Sequence, residues 1–357
     1  MNFLKQPKWW MRVLIGAAWI PVGGELFLRF LAPVPMLPRY IEAGPHGVRA
    51  NMPNQTYRHQ TPEYTVEIRT NSQGMRADQE FAIPKPPGTR RIAVLGDSFS
   101  MGYGVNMEDT SLQILEENLE TELECDVEIL NFSVSGFGPA EELIVLEEAA
   151  MQYEPDLIIQ YFTSNDPIDD TRANLFVLEE GELQRSNDSY LPAVKVREFL
   201  FSFSLYRWMA GESHLYNLIR DMAGSKAKQV LAMFRSRDNK TSNEPPIAID
   251  PEGPTAQEAL SLAILSRMME VARVGDAEFL ILSIPVRRSR AEFKETFPDW
   301  SGEYPVVSPI AAFEEKNGEM LYWEESHGHW TPLGCRLVAS ELTDRILDRG
   351  LLGESCP

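Results

Sequence analysis

The stretch Arg91-Ile-Ala-Val-Leu-Gly-Asp-Ser98 joins a short apolar run to a glycine and two polar residues. An apolar run of this length ahead of a glycine predicts a buried β-strand, and a helical pattern follows at about 109–123. Two further strands are predicted at 127–130 and 156–162, with a helix at 139–153 between them. Strands that alternate with helices favour an α/β fold whose parallel sheet is covered on both faces.

The same alternation resumes after a long interruption at about 190–254, which reads as an aromatic, helical insertion ending in a polar loop. The elements predicted after it are a helix at about 255–274, a strand at 278–284, a weak strand at 320–323 and a final helix at about 332–347. We therefore expect the α/β domain to cover 91–349 and a tail to cover 350–357. Residues 39–90 are rich in proline and polar residues, and they predict a linker and an N-terminal β extension with a strand at 64–70.

The first 38 residues differ from the rest in charge and hydropathy. An unbroken apolar or small run fills 13–24, and basic residues precede it. A helix over 12–32 would be on the order of 30 Å long, enough to cross a hydrocarbon core. Its two inner charges, Glu25 and Arg29, lie four residues apart and can pair on one helix face.

This pattern predicts a single membrane-spanning helix with the bilayer as its partner over 12–32. By the positive-inside rule, the N-terminal tip would be cytoplasmic and the main domain extracytoplasmic, which in a bacterium means periplasmic. Two alternatives remain open: a cleaved signal peptide, although no small-x-small site follows the run, and a helix packed on the domain.

The composition narrows the classes of partner and cofactor. The 357-residue chain has 53 acidic and 33 basic residues, a formal net charge of −20. Such a surface repels phosphate backbones, so nucleic acid is not an expected partner. The three cysteines cannot form a disulfide framework and show no metal-binding spacing, so neither a metal nor a cofactor is predicted.

Polar residues follow four of the predicted strands, where the sites of parallel α/β proteins collect. They are Asp97-Ser98, Ser135-Gly136, Asn165-Asp166 and the pair His327 and His329. Each alone is typical of a helix cap or a turn. Four at successive strand ends indicate a functional site.

These blocks resemble the SGNH (GDSL-like) hydrolases. The resemblance lies in Ile92-Ala-Val-Leu-Gly-Asp-Ser-Phe99, Asn131-Phe-Ser-Val-Ser-Gly-Phe-Gly138, Ser164-Asn-Asp166 and His329-Trp-Thr-Pro-Leu-Gly334, in the family's order. It implies a flavodoxin-like three-layer α/β/α sandwich with a mostly parallel five-stranded sheet. It also implies cleavage or transfer of acyl esters.

The resemblance assigns roles to four residues. Ser98 would be the nucleophile and His329 the base that activates it. The backbone N–H groups of Ser98 and Gly136 and the side-chain amide of Asn165 would stabilise the oxyanion.

The chain departs from the family at one position. The family places an aspartate two or three residues before the base histidine, whereas this chain has His327 and Ser326 there. The side chains that could support the pair are Asp97, His327 and Glu325. A Ser98–His329 dyad, a carboxylate from elsewhere and an impaired site all remain open, whereas a metal held by His327 and His329 lacks further ligands of suitable spacing.

Two functions follow from these patterns. The first is a membrane-anchored serine esterase or acyltransferase acting on O-acylated glycans or lipids at the extracytoplasmic face. The second is a catalytically impaired SGNH-like accessory subunit whose partners are membrane protein subunits.

Overall fold

The computed structural model describes residues 9–192, 194–223, 254–297, 304–316, 318–326 and 328–353; in the first helix, the side chains of 9–11, 13–15, 17 and 18 are not described. The described chain divides into two compact units. The first comprises 1–38, 58–65 and 199–246, and the second comprises 39–57, 66–198 and 247–357.

The strands, in chain order, are β1 Ile41–Ala43, β2 Arg49–Asn51, β3 Thr56–Gln60, β4 Thr65–Arg69, β5 Thr89–Leu95, β6 Asp126–Asn131, β7 Leu157–Phe162, β8 Phe176–Glu179, β9 Glu182–Arg185, β10 Glu278–Ser283, β11 Val286–Arg287, β12 Phe293–Lys294 and β13 Val306–Val307. The α-helices are α1 Trp9–Phe30, α2 Ser111–Leu123, α3 Pro139–Glu148, α4 Asp166–Ala173, α5 Val194–Phe201, α6 Ser204–Glu212, α7 at 214–223, α8 Ala256–Val274, α9 Ile310–Glu315 and α10 Pro332–Asp348. Single 3₁₀ turns lie at Met107–Asp109 and Ala150–Tyr153.

The second unit is built on a five-stranded sheet in the order β13-β10-β7-β5-β6, and every neighbouring pair in it is parallel. The predicted α/β fold with a five-stranded parallel sheet is therefore confirmed. Alternate residues of β5 face opposite sides of the sheet. Ile92 and Val94 belong to the apolar cluster that contains α2 and α10, whereas Ala93 and Leu95 belong to the cluster that contains α3 and α8. Helices thus cover both faces, which explains why the residues of the central strands β5, β7 and β10 are nearly all buried.

Two predicted elements differ from the observed ones. No strand of the sheet forms at 320–323; Tyr322 makes only an isolated antiparallel bridge to Trp330, and the two-residue β13 takes the sheet edge beside β10. The helix predicted over 139–153 ends at Glu148, because Ala149 leaves helical geometry before the 3₁₀ turn. The predicted insertion contains α5, α6 and α7, and its part at 224–253 lies outside the described residues.

The first unit contains α1, and the predicted pairing of its two inner charges is present. Arg29 Nη2 lies 3.1 Å from Glu25 Oε1. The Glu25 carboxylate also accepts hydrogen bonds from Ser213 Oγ and from the backbone N–H groups of His214 and Leu215, where α7 begins. A carboxylate in that place satisfies N–H groups that a helix leaves open at its start.

None of the helices in the described residues is both long and apolar enough to cross a bilayer. The span predicted over 12–32 is therefore not confirmed. Within the first unit, Arg29 also donates to the backbone carbonyl of Glu212.

Candidate active site

Ser98 lies in the turn that follows β5, the strand between β6 and β7 in the sheet. Gly96 allows that turn, because a Cβ there would lie 2.4 Å from Ser100 Oγ and 2.9 Å from Tyr161 Cβ. Asp97 then closes the turn: its Oδ1 accepts from the Phe99 N–H at 2.9 Å, and its backbone carbonyl accepts from the Met101 N–H at 3.1 Å. The turn leaves the Ser98 side chain half-buried at the carboxyl edge of the sheet.

His329 comes from the loop between α9 and α10, far away in the sequence. Its neighbour Trp330 is buried against Phe99 and Tyr161 and anchors the loop to the sheet. The His329 backbone carbonyl accepts from the Trp323 N–H at 2.8 Å, which closes the loop on itself. The His329 side chain is 8% exposed.

The two predicted catalytic side chains meet directly. His329 Nε2 lies 2.7 Å from Ser98 Oγ. Phe99 and Tyr103 flank the imidazole, with ring centroids 5.0 and 5.7 Å from that of His329. With its proton on Nδ1, the imidazole can accept the Ser98 proton, which is the geometry that nucleophilic catalysis by serine requires.

The resemblance implies an aspartate at position 326 or 327, and the residues around these positions differ in their surroundings. Ser326 is fully buried, and its hydroxyl has no hydrogen-bond partner in the described part of the chain. Glu324 is held by Arg290 and Arg287, and the Arg290 guanidinium keeps the pKa of the Glu324 carboxyl below its ordinary value. Glu325 is exposed, and His327 lies outside the described residues.

Asp97 is occupied by the turn that carries Ser98. Its side chain is buried, and burial raises the pKa of this carboxyl to about 6. Because Oδ1 accepts from the Phe99 N–H, Asp97 shapes the turn around the nucleophile. Asp97 therefore supports the site by holding the backbone of the turn that carries Ser98.

Gly136 follows β6, on one side of Ser98 in the sheet. It adopts a φ of +83°, in the left-handed region that favours glycine. Its carbonyl accepts from Arg49 Nη2 at 2.7 Å, and the same guanidinium pairs with the buried Glu141 carboxylate at 2.7 Å. Arg49 thus fixes the peptide that follows Gly136, while no described group accepts from the Gly136 N–H.

Asn165 follows β7, on the other side of Ser98, and is the N-cap residue of α4. Its side chain is exposed, and Nδ2 donates to Asp169 Oδ2 at 2.6 Å. An amide nitrogen carries two hydrogens, so this contact leaves one for another acceptor. The ends of three adjacent strands therefore place Gly136, Ser98 and Asn165 along one edge, next to the point where the chain reverses its order through the sheet.

A cavity of about 340 Å³ opens beside the Ser98–His329 pair. Its wall includes the immediate neighbours of both residues, Phe99 and Gly328, together with Asn165. Cavities of this volume hold small-molecule groups. Among the described residues, no group of three His, Cys, Asp or Glu side chains is arranged to hold a metal ion.

Comparison with known proteins gives similar solved structures only. No protein-family model matches the chain, and no curated protein matches it in sequence. Similar structures include TesA (13% identity, TM-score 0.39, covering 74% of this chain and 100% of TesA). A member of the lipolytic protein G-D-S-L family from Veillonella parvula is 13% identical, with a TM-score of 0.38 over 72% of this chain and 97% of that one. A catalytic mutant of Axe2, an acetylxylan esterase from Geobacillus stearothermophilus, is 11% identical, with a TM-score of 0.39 over 73% and 96%.

With these identities and TM-scores below 0.5, the similarities assign neither a family nor an activity. The chemistry of the chain therefore has to be inferred from the geometry of its own side chains. The role of Arg49 was not predicted from the sequence, because this residue lies in a stretch that resembles a linker and contacts Gly136 only in the folded chain. An isolated arginine gives no pattern that could have revealed this contact.

A group of buried carboxyl side chains lies in the helices that follow β6 and β7. Glu142 is 1% exposed, and its Oε2 accepts from Gln160 Nε2 at 3.0 Å, while Oε1 has no partner in the described residues. Burial raises the pKa of Glu142 and of Asp166 well above the ordinary value, and raises the pKa of Asp170 to about 7. These carboxyl groups hold their protons in the folded chain at pH values where free carboxyl groups have lost them.

Proposed function

We propose that this chain is a serine-dependent esterase or acyltransferase. The observation that carries the proposal is the 2.7 Å distance between Ser98 Oγ and His329 Nε2 at the open end of the sheet, beside a cavity. A serine hydroxyl is a poor nucleophile until a base removes its proton, and His329 is in contact with that proton.

The reaction follows from this pair. Ser98 Oγ attacks the carbonyl carbon of an ester while its proton passes to His329 Nε2. The tetrahedral intermediate expels the alcohol, which takes the proton from His329 and leaves an acyl group on Ser98. Water or a second alcohol then attacks that acyl group, again giving its proton to His329, and the proton returns to Ser98 Oγ as the product leaves.

The negative charge of the intermediate needs hydrogen-bond donors. The Gly136 N–H and the second hydrogen of Asn165 Nδ2 come from the strand ends on either side of Ser98, and the Ser98 N–H is the third candidate donor. A preorganised donor of this kind contributes roughly 3–4 kcal/mol to the stability of an oxyanion transition state.

As substrates we propose O-acyl esters of glycans or lipids, reached from the extracytoplasmic side that the charge pattern predicts. The site acts on an ester carbonyl, and the adjoining cavity of about 340 Å³ takes one group of the substrate rather than a whole polymer.

The test is labelling of the full-length protein with a serine-directed fluorophosphonate, together with hydrolysis of 4-nitrophenyl acetate. We expect a single covalent adduct on Ser98, and no adduct or turnover in Ser98→Ala or His329→Ala. The exposed Ser189 provides the control, and Ser189→Ala should behave as the parent protein does. A folded parent protein that neither reacts with the probe nor cleaves the ester would refute the proposal.

A second candidate function, an accessory subunit of a membrane assembly, is favoured by apolar side chains exposed on the first unit. They are Trp19, Ile20, Val22, Leu26, Phe27, Phe30, Leu31, Phe199, Phe203, Leu205, Trp208, Ile219 and Met222. Large exposed apolar patches are typical of surfaces that contact proteins or membranes.

This candidate predicts a stoichiometric membrane-protein partner that co-purifies with full-length chain from detergent extracts. The partner should be lost from the double variant Phe203→Ser/Trp208→Ser and retained by Ser98→Ala. A partner that binds all three proteins equally would speak against this surface.

A further inference from the structure

The cavity beside Ser98 has one wall that carries positive charge. Arg287, in β11, lines it together with Glu324 and Trp323 from the loop that carries His329. The Arg287 side chain is 28% exposed, so the guanidinium lies at the cavity surface without being free in solvent. It therefore borders the space that a substrate group would occupy.

The contacts of Arg287 leave much of its hydrogen-bonding capacity unused. Its Nη2 lies 3.3 Å from Glu324 Oε1, and its Nη1 lies 3.5 Å from the Tyr322 carbonyl. Both distances are long for hydrogen bonds of a charged donor. A guanidinium has five N–H donors in a planar fork, the arrangement that binds carboxylates and phosphates through two oxygens at once.

Glu324 does not cancel this charge, because a second arginine already binds it more closely. Arg290 Nε and Nη2 donate to the two carboxylate oxygens of Glu324 at 2.6 and 2.9 Å. Two arginines thus share one carboxylate, and the group keeps a net charge of +1. On a chain whose net charge is −20, this net positive group in the cavity wall runs against the overall charge.

The remaining wall is suited to the carbon skeleton of a substrate. Phe99, Ile284, Pro285 and Tyr322 supply apolar and aromatic surface next to the charged group. Apolar lining with one or a few placed polar groups is the usual composition of a site that selects among small ligands.

We propose that the ester group that fills this cavity carries a carboxylate or a phosphate, and that Arg287 binds this anion and so determines substrate specificity. The proposal rests on the proposed ester chemistry of Ser98 and names the substrate class of that site. Both anions present two or more oxygens to the guanidinium, and they are told apart by the substrates of the test.

The experiment compares kcat/KM for anionic esters with that for neutral counterparts, each rate being divided by the rate of the same ester with hydroxide to remove differences in intrinsic reactivity. On the acyl side, mono-4-nitrophenyl glutarate is paired with its neutral methyl ester; on the alcohol side, 4-acetoxybenzoate and 4-acetoxyphenyl phosphate are paired with methyl 4-acetoxybenzoate. We expect the parent protein to prefer one of the anionic esters by roughly tenfold or more, the range of a hydrogen bond to a charged group. The preference should shrink as salt is added.

Three variants of the full-length protein separate specificity from structure. Arg287→Gln should remove the preference and leave the rate with neutral esters within about twofold, and Arg287→Lys should retain part of it. Arg288→Gln is the matched control, because Arg288 is the exposed neighbour that lines a different cavity, with Lys294 and Glu295. It changes the net charge equally and should preserve the preference.

The outcomes distinguish a failure of anion binding by Arg287 from a failure of the ester chemistry proposed for Ser98. If neutral and anionic esters alike are not cleaved, the ester chemistry itself fails. If esters are cleaved without an anionic preference, or if Arg287→Gln and Arg288→Gln lower the preference equally, the role of Arg287 is refuted. A loss of neutral-ester turnover in Arg287→Gln would show that the residue only holds the His329 loop, which also overturns the inference.

Discussion

The Arg49 guanidinium donates to the Gly136 carbonyl at 2.7 Å and, through the same nitrogen, to the buried Glu141 carboxylate. One arginine therefore joins a short strand to the loop that carries a candidate oxyanion donor. We expect Arg49→Gln to lower kcat on simple esters roughly 10- to 100-fold, because the loop loses the contact that holds the peptide after Gly136 and so the orientation of the adjoining Gly136 N–H. Steady-state kinetics on 4-nitrophenyl acetate measures this.

The same change also leaves Glu141 buried without its partner. Burial raises the pKa of Glu141 to about 7 even though Arg49 lowers it, so loss of Arg49 raises that pKa further. The double variant Arg49→Gln/Glu141→Gln should regain stability toward urea without regaining activity. If activity returned together with stability, Arg49 would be a structural residue only.

Asp97 can be tested by exchanging its charge without its shape. Its Oδ1 accepts from the Phe99 N–H, and an asparagine in its place keeps that acceptor. We expect Asp97→Asn to retain kcat within about threefold and Asp97→Ala to lose roughly tenfold, through loss of one buried hydrogen bond. If Asp97 instead supplied the charge behind His329, Asp97→Asn would lose activity by about four orders of magnitude.

Ser326 is, with His327, one of the two positions at which the resemblance to the SGNH hydrolases implies an aspartate, and it is fully buried with an unpartnered hydroxyl in the described chain. Ser326→Asp should raise kcat by roughly tenfold or more, because a carboxylate there could orient His329 and stabilise the imidazolium. Ser326→Asn has nearly the same shape and no charge, so it should give no gain. Equal rates for the two folded variants would show that this position does not limit catalysis.

Glu142 gives a prediction about stability and pH. Burial raises its pKa well above the ordinary value in the folded chain, whereas in the unfolded chain it titrates near 4.3. Above that pH the unfolded state binds fewer protons than the folded state, so Glu142 lowers the free energy of unfolding by about 1.4 kcal/mol per pH unit until the folded pKa is reached.

Glu142→Gln removes this dependence, because glutamine stays neutral in both states. The variant should therefore gain stability relative to the parent as the pH rises above about 5, as followed by urea unfolding at several pH values. Glu179→Gln, at an exposed position, is the control and should show no such trend. A parallel pH profile for Glu142→Gln and the parent protein would contradict the buried, protonated state of this carboxyl group.

The strands of the sheet could be predicted from the sequence, because a buried strand is marked by the pattern of residues that are neighbours in the chain. The apolar run in β5 and the wholly buried β7 are visible as hydrophobic segments next to glycine or polar residues. The edge strand β13 was not predicted, since two residues are too few for a periodic pattern. The prediction of a strand at 320–323 was wrong, because Tyr322 pairs with Trp330 within a loop. The packing of Trp330 against Phe99 holds that loop in place.

The sequence by itself determined the parallel α/β architecture and the positions of Ser98, Gly136, Asn165 and His329 at the ends of predicted elements. Only the tertiary structure decided that Ser98 Oγ and His329 Nε2 lie 2.7 Å apart and that Arg49 and Arg287 border the site. The physical reason is the separation along the chain of the residues that interact. Strands and helices follow from interactions between residues close in the chain, whereas a site joins side chains separated by up to 231 positions, whose distances are fixed by the packing of the whole sheet.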